Sequence, residues 1–298
     1  MHTRSIDKSV TRRLFLSAVT ALCTTLSLGA CSKEENKAGA AASSEGAAKT
    51  VTAEAKADAP LKVGASPVPH ADILRFVQEK LAEKEGLKLQ IVEFTDYVQP
   101  NLALNDKLID ANFFQHVPYM ENFGKERNIA MVSVAKVHIE PLGIYSKKVK
   151  ALADAPKGSI IAIPNDATNA GRALHLLADN GLLTLKEGAA VNATVQDIAT
   201  NPKGFKVKEL EAAQLPRSLD DAALAIVNGN YAIQVGLKPS KDALALEKGE
   251  GNPYANVLSV LKGQENEPRV QKLAKLLTSP EVKEFINKKY DGAVIAAF

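Results

Sequence analysis

Four stretches of this chain mix aromatic rings, amides, imidazole and guanidinium with turn residues. They are Phe94-Thr95-Asp96-Tyr97-Val98-Gln99-Pro100-Asn101, Asp110-Ala111-Asn112-Phe113-Phe114-Gln115-His116-Val117-Pro118-Tyr119, Pro164-Asn165-Asp166-Ala167-Thr168-Asn169-Ala170-Gly171-Arg172-Ala173-Leu174 and Asn252-Pro253-Tyr254-Ala255-Asn256. Rings offer apolar walls, amides offer donors and acceptors, and a guanidinium offers paired donors to an anion. This is the chemistry of recognition. Bond-breaking chemistry is not signalled: there is no Gly-x-Ser-x-Gly elbow, phosphate loop or Gly-x-Gly-x-x-Gly fingerprint. Asp96 and Asp110 lie in these stretches, but nothing marks either as an acid or a base. A zinc or manganese carrier would need clustered ligands, and the five histidines are scattered along the chain. We expect no catalytic residue, no metal and no cofactor.

The elements that must position these stretches alternate between strand and helix. Residues 61–65, 87–94 and 108–111 read as strands and 129–137 and 144–146 as extended chain. Helical spacing covers 72–84, and a helix begins at Pro118. A second block repeats the pattern. A buried strand spans 159–163, a helix capped by Thr168 runs to 179, an apolar strand spans 222–227 and a short helix reaches about 235. A strand at 255–261 and helices at 268–277 and 280–289 finish the chain, the last capped by Ser279 with Pro280 at its first position. Such alternation predicts α/β layers with a largely parallel sheet, in two lobes. Ligands in such folds bind beyond the carboxyl ends of the strands, where the four stretches fall.

The N-terminus predicts a compartment. Arg12 and Arg13 precede a short uncharged run that ends Leu28-Gly29-Ala30-Cys31, the layout of a secretory signal peptide closing on a lipobox. Residues 1–30 are expected to be removed and Cys31 to carry lipid; Thr11-Arg12-Arg13-Leu14-Phe15-Leu16 also resembles a twin-arginine export signal. Cleavage would leave 33 basic and 33 acidic residues from the 37 and 34 of the full chain. The basic excess thus belongs to the signal, and none remains to bind nucleic acid. The one remaining cysteine would be lipidated, so no thiol is free for catalysis and no disulfide is expected. Residues 31–60 form a tether: ten of the 29 residues after Cys31 are alanine and Val51 is the one larger aliphatic. Such a coil reaches roughly 30 Å.

The four stretches, in this order and spacing, resemble the MetQ/NlpA family of methionine-binding lipoproteins, most specifically in Phe114-Gln115-His116-Val117-Pro118-Tyr119. Ala167 and Ala170 depart from the family pattern, and the tether is long for it. The resemblance covers 61–298 and implies a two-lobed periplasmic-binding-protein fold, with 61–140 and 254–298 in lobe I and 141–253 in lobe II. It implies a monomer on the periplasmic or outer face of a membrane, delivering methionine to the permease and ATPase subunits of an ABC importer. Another apolar amino acid, a methionine-containing dipeptide or a second role as an adhesin are the alternatives. Carried over residue by residue, the ligand contacts are Tyr97, Phe114, His116, Tyr119, Arg172, Asn228 and Asn256. Arg172 suits a carboxylate, the amide carbonyls of Asn228 and Asn256 suit an ammonium, and the three aromatics suit a thioether. Of the adjacent pair Phe113 and Phe114, one must face the core and the other the cleft; the resemblance gives the cleft to Phe114.

Overall fold

The computed structural model describes residues 59–298. Cys31, the signal sequence and nearly all of the tether lie outside the described residues. The chain opens on β1 (Leu61–Ala65), α1 (Asp72–Lys80), β2 (Leu89–Glu93), α2 (Gln99–Asn105), β3 (Ala111–His116), α3 (Val117–Arg127) and β4 (Met131–Ile139). It then crosses at Glu140 into β5 (Gly143–Tyr145), β6 (Ile160–Pro164), α4 (Ala167–Asp179), β7 (Thr184–Leu185), β8 (Ile198–Thr200) and β9 (Lys206–Leu210). The short α5 (Leu215–Ser218), β10 (Leu224–Val227), α6 (Gly229–Gln234), α7 (Pro239–Asp242) and β11 (Ala245–Leu246) complete that part. The chain returns through β12 (Ala255–Leu261), α8 (Pro268–Leu277), α9 (Pro280–Tyr290) and β13 (Ile295–Ala296).

Two separate sheets result. One runs β13-β4-β12-β3-β1-β2 and the other β11-β5-β10-β6-β9, while β7 and β8 pair by themselves. Each sheet has a parallel half at one end, β2-β1-β3 and β9-β6-β10, continued by antiparallel strands beyond β3 and β10. The sheets are therefore mixed. β12 comes back from the second crossing and must enter the first sheet antiparallel to β3 and β4. Each lobe has its own core. Leu61, Val63 and Ala65 of β1 pack with Leu74 and Val77 of α1, Leu273 and Leu277 of α8 and Ile286 of α9. Ile161 and Ile163 of β6 pack with Leu174 and Leu177 of α4 and Leu224 and Ile226 of β10. Each such aliphatic contributes about 1.5–3 kcal/mol on burial.

Two local expectations change. The strand expected at 108–111 begins at Ala111 and runs through His116; Leu108 is 65% exposed and lies before it. All six β3 side chains are buried, because both faces are covered and alternation is lost. The helix expected to start at Thr168 is capped by Asp166, whose carboxylate accepts from the Asn169 backbone N–H at 2.9 Å. Ser279 caps α9 as expected.

Gly171 seats α4. A Cβ there would stand 2.3 Å from the Val191 carbonyl oxygen and 2.7 Å from the Ala193 nitrogen, backbone atoms that cannot rotate away. Gly171→Ala should therefore destabilise by about 1–3 kcal/mol, read as a lower melting temperature. An unchanged melting temperature would mean that the 191–193 backbone yields freely.

Candidate ligand-binding site

Strand ends and both crossings converge on one cavity. Its lining includes all seven residues named above: Tyr97, Phe114, His116, Tyr119, Arg172, Asn228 and Asn256. It also includes Gln115, Glu140, Asn169, Gly229 and Asn230, which the sequence reading did not select. Tyr97 lies between β2 and α2, Phe114 and His116 end β3, and Tyr119 sits in the first turn of α3. Asn169 and Arg172 belong to α4, Asn228 follows β10, and Asn256 lies on β12. Phe113 is in the core of the first lobe while Phe114 lines the cavity, as alternation along a strand requires.

One wall is aromatic. The ring of Tyr97 stands 6.1 Å from Phe114, 5.9 Å from Tyr119 and 5.1 Å from Tyr231. The hydroxyls point away into protein bonds. Tyr97 Oη donates to Asn230 Oδ1 at 2.5 Å, Tyr119 Oη to the Tyr97 carbonyl at 2.8 Å, and Tyr231 Oη to the Thr95 carbonyl at 3.0 Å. Burial raises the phenol pKa of all three, so they stay neutral donors. What they offer a ligand is ring surface.

The opposite wall is a chain of oriented amides. Asn169 Nδ2 donates to both Asp166 carboxylate oxygens at 3.0 Å, which turns Asn169 Oδ1 inward. The Tyr119 backbone N–H donates to His116 Nδ1 at 3.2 Å, so the imidazole proton sits on Nε2 and is given to Asn169 Oδ1 at 3.2 Å. Burial, then the charge of Arg172, lowers the His116 pKa to about 3, so the ring stays neutral. Asn169 Oδ1 also accepts from Asn228 Nδ2 at 3.1 Å. Asn228 Oδ1 is left as a buried acceptor with no partner among the described residues, and Asn230 Nδ2 as a buried donor with none.

Arg172 is 4% exposed and is held before any ligand arrives. Its Nε donates to Glu247 Oε1 at 2.7 Å and its Nη2 to Glu247 Oε2 and, at 2.9 Å, to the Glu140 carbonyl. The guanidinium lies 4.3 Å over the Tyr254 ring. Glu247 also accepts from the Leu142 backbone N–H and from Asn252 Nδ2. Arg172 thus ties α4 to both crossings through Nε and Nη2, and its Nη1 has no hydrogen-bond partner among the described residues.

Asn256 corrects an expectation. Its carbonyl oxygen accepts from His70 Nε2 at 3.0 Å, so its amide N–H2 is the group available to a ligand. That group suits a carboxylate, not an ammonium. An acceptor in the lining that the sequence reading did not select is Glu140, buried at the first crossing. Burial raises its carboxyl pKa, opposed by His70, the Asn230 backbone N–H and Arg172. Its signal in the sequence was faint: one acid before Pro141, at the expected lobe boundary.

With this geometry in hand, comparison with known proteins is direct. Residues 61–298 match the family model for the NlpA lipoprotein. The chain belongs to the NlpA lipoprotein family. Among NlpA relatives, the membrane lipoprotein TpN32 of Treponema pallidum is 41% identical, covering 80% of this chain and 88% of the relative. The methionine-binding lipoprotein MetQ of Bacillus subtilis is 43% identical, covering 78% and 86%. A nutrient-binding protein from Burkholderia cenocepacia, solved bound to methionine, is 48% identical with a TM-score of 0.77, covering 80% of this chain and all of that one. The family fold is α/β and two-lobed, in keeping with the two sheets. No described helix is long and apolar enough to cross a membrane.

Proposed function

We propose that this chain is the lipid-anchored, extracytoplasmic solute-binding component of an ATP-driven importer, and that it captures methionine between its lobes. The observation that carries the reading is the cavity itself. It sets an aromatic wall against a polar wall with separate donor and acceptor groups, in a family with a methionine-bound relative 48% identical to this chain. Arg172 Nη1, with the amide groups of Asn230 and Asn256, receives the carboxylate. Asn228 Oδ1 and the carboxylate of Glu140 receive the ammonium. Tyr97, Phe114 and Tyr119 hold the thioether, at about 0.3–1.5 kcal/mol per sulfur–ring contact. Tyr97 with Asn230, Tyr231 with Thr95 and His116 with Asn169 join the lobes across the cavity, which supports a hinge that closes on its cargo. The anchor at Cys31 and the 31–60 tether would hold the lobes within reach of the permease.

Native mass spectrometry of the purified protein, followed by calorimetry with L- and D-methionine after stripping by unfolding and refolding, tests the reading. A retained mass of methionine and a saturable heat are expected. No heat and no melting shift with either isomer would remove methionine as cargo. Gly229→Ala is a finer probe, since an added Cβ would stand 2.8 Å from Glu140 Cβ and 3.1 Å from its Oε2. Displacing that carboxylate should weaken methionine binding by roughly tenfold, the scale of one charged hydrogen bond. Unaltered affinity would place the ammonium away from Glu140.

A further inference from the structure

Histidines that are scattered in sequence meet in the first lobe. His70 precedes α1, His138 lies on β4, and Glu140 follows β4 at the crossing. They are 1%, 0% and 6% exposed. His138 Nε2 stands 2.7 Å from Glu140 Oε1, and His70 Nε2 stands 3.3 Å from the same oxygen while bonding Asn256 Oδ1. Phe113 backs both rings edge-on, with centroids at 4.8 and 5.3 Å. Glu140 lines the cavity, whereas neither histidine does.

We propose that His70 and His138 are positioning residues for ligand capture. The His138 Nε2–H donates to Glu140 Oε1, and His70, bonded through Nε2 to Asn256, stands against the same oxygen, so that the carboxylate stays fixed as the counterion of the ligand ammonium. The inference rests on the reading of Glu140 as ammonium acceptor. Three observations carry it. First, burying two imidazoles side by side is unfavourable unless they are bonded, and the single hydrogen bond of His138 is to Glu140. An aliphatic or phenyl side chain would serve packing better. Second, a carboxylate taken out of water drifts toward its neutral form unless donors hold the charged one; His138 supplies such a donor, and His70 stands 3.3 Å from the same oxygen. Third, His70 bridges Glu140 and Asn256, so it sets the acceptor side and the donor side of the cavity together.

A metal centre is the competing use of two imidazoles and a carboxylate whose ligand atoms lie within 4.8 Å of one another. Metal-bound histidines give their second ring N–H to an acceptor. Here the Nδ1 of His138 is buried without a partner among the described residues, so that supporting layer is missing for one of the two rings and positioning is the better use.

The test compares His138→Leu, His138→Gln and His70→Gln in the full mature chain. Each is titrated with L-methionine and with its 2-hydroxy analogue, which has the same carboxylate and thioether but no ammonium. Glutamine keeps a donor at similar reach and leucine does not. His138→Leu should lose roughly tenfold or more in methionine affinity, the scale of one charged hydrogen bond, and change little toward the hydroxy analogue. His138→Gln should recover most of the loss, and His70→Gln should keep most of the wild-type affinity. Equal loss for both ligands would mean a merely structural role and overturn the proposal. So would zinc that binds the wild type tightly and fails to bind the histidine variants. If the leucine variant does not fold, a His70→Gln, His138→Gln double variant decides: full ammonium discrimination there supports the proposal, and its loss overturns it. Wild type that binds no methionine would instead remove the functional reading itself.

Discussion

Arg172→Ala will lose methionine affinity by a hundredfold or more and will also unfold at a lower temperature. The binding loss follows from removing a buried guanidinium that the proposed function sets against the ligand carboxylate, a truncation that costs about 2–5 kcal/mol. The stability loss has a separate cause. Glu247 receives two of the Arg172 hydrogen bonds, and without them it is left as a poorly solvated anion beside both crossings. The double variant Arg172→Ala, Glu247→Gln separates the two: its melting temperature should largely recover while its affinity does not. Arg172→Lys should behave like the alanine variant toward ligand, because one ammonium cannot hold both Glu247 oxygens and a carboxylate at once. Calorimetry and thermal melts on the three proteins check this. Near-normal affinity in Arg172→Ala would place the carboxylate elsewhere.

The second large effect is on stability against pH. His70, His116 and His138 have pKa values lowered from 6.5 to about 4, 3 and 3, in each case first by burial. Below pH 6.5 the unfolded chain takes up protons that the fold refuses, so acid favours unfolding. The loss begins as pH falls through 6.5 and continues to about 4, where the fold itself begins to protonate. Each such group costs up to about 1.4 kcal/mol per pH unit, so three cost up to about 4. Glu140, with its pKa raised by burial, acts in the opposite sense. From its unfolded value of 4.5 up to its folded value, the native state holds a proton that the unfolded chain does not. One group of that sign does not offset three of the other. Against a usual total of about 5–15 kcal/mol, the protein should unfold cooperatively on acidification before most of its exposed carboxylates protonate. Urea midpoints measured between pH 7.5 and 4.5 should fall steeply, and His138→Gln should flatten the slope by about one proton. A midpoint constant from pH 7 to 5 would refute the buried neutral state of these rings.

Much of the scaffold is legible in the chain because its signals are local. Alternating apolar spacing marked β2, short apolar runs marked β1, β6, β10 and β12, and Ser279-Pro280 marked the start of α9. Covered faces hid the rest. β3 buries every side chain, so no alternation distinguished it from the turn before it, and its start was misplaced by three residues. The antiparallel flanks were equally invisible, since strand direction depends on which sheet the returning chain enters.

The cavity divides the same way. The family resemblance carried by the four stretches named Tyr97, Phe114, His116, Tyr119, Arg172, Asn228 and Asn256, and all seven line the cavity. Which atom each presents was decided only by tertiary structure. An amide is a donor or an acceptor according to what occupies its other end: His70 takes the oxygen of Asn256 and leaves the N–H2, while Asn169 takes the N–H2 of Asn228 and leaves the oxygen. Glu140 is one acid among 34 acidic residues in sequence. It becomes a candidate counterion only where folding strips its water and sets two imidazoles from distant positions against one of its oxygens.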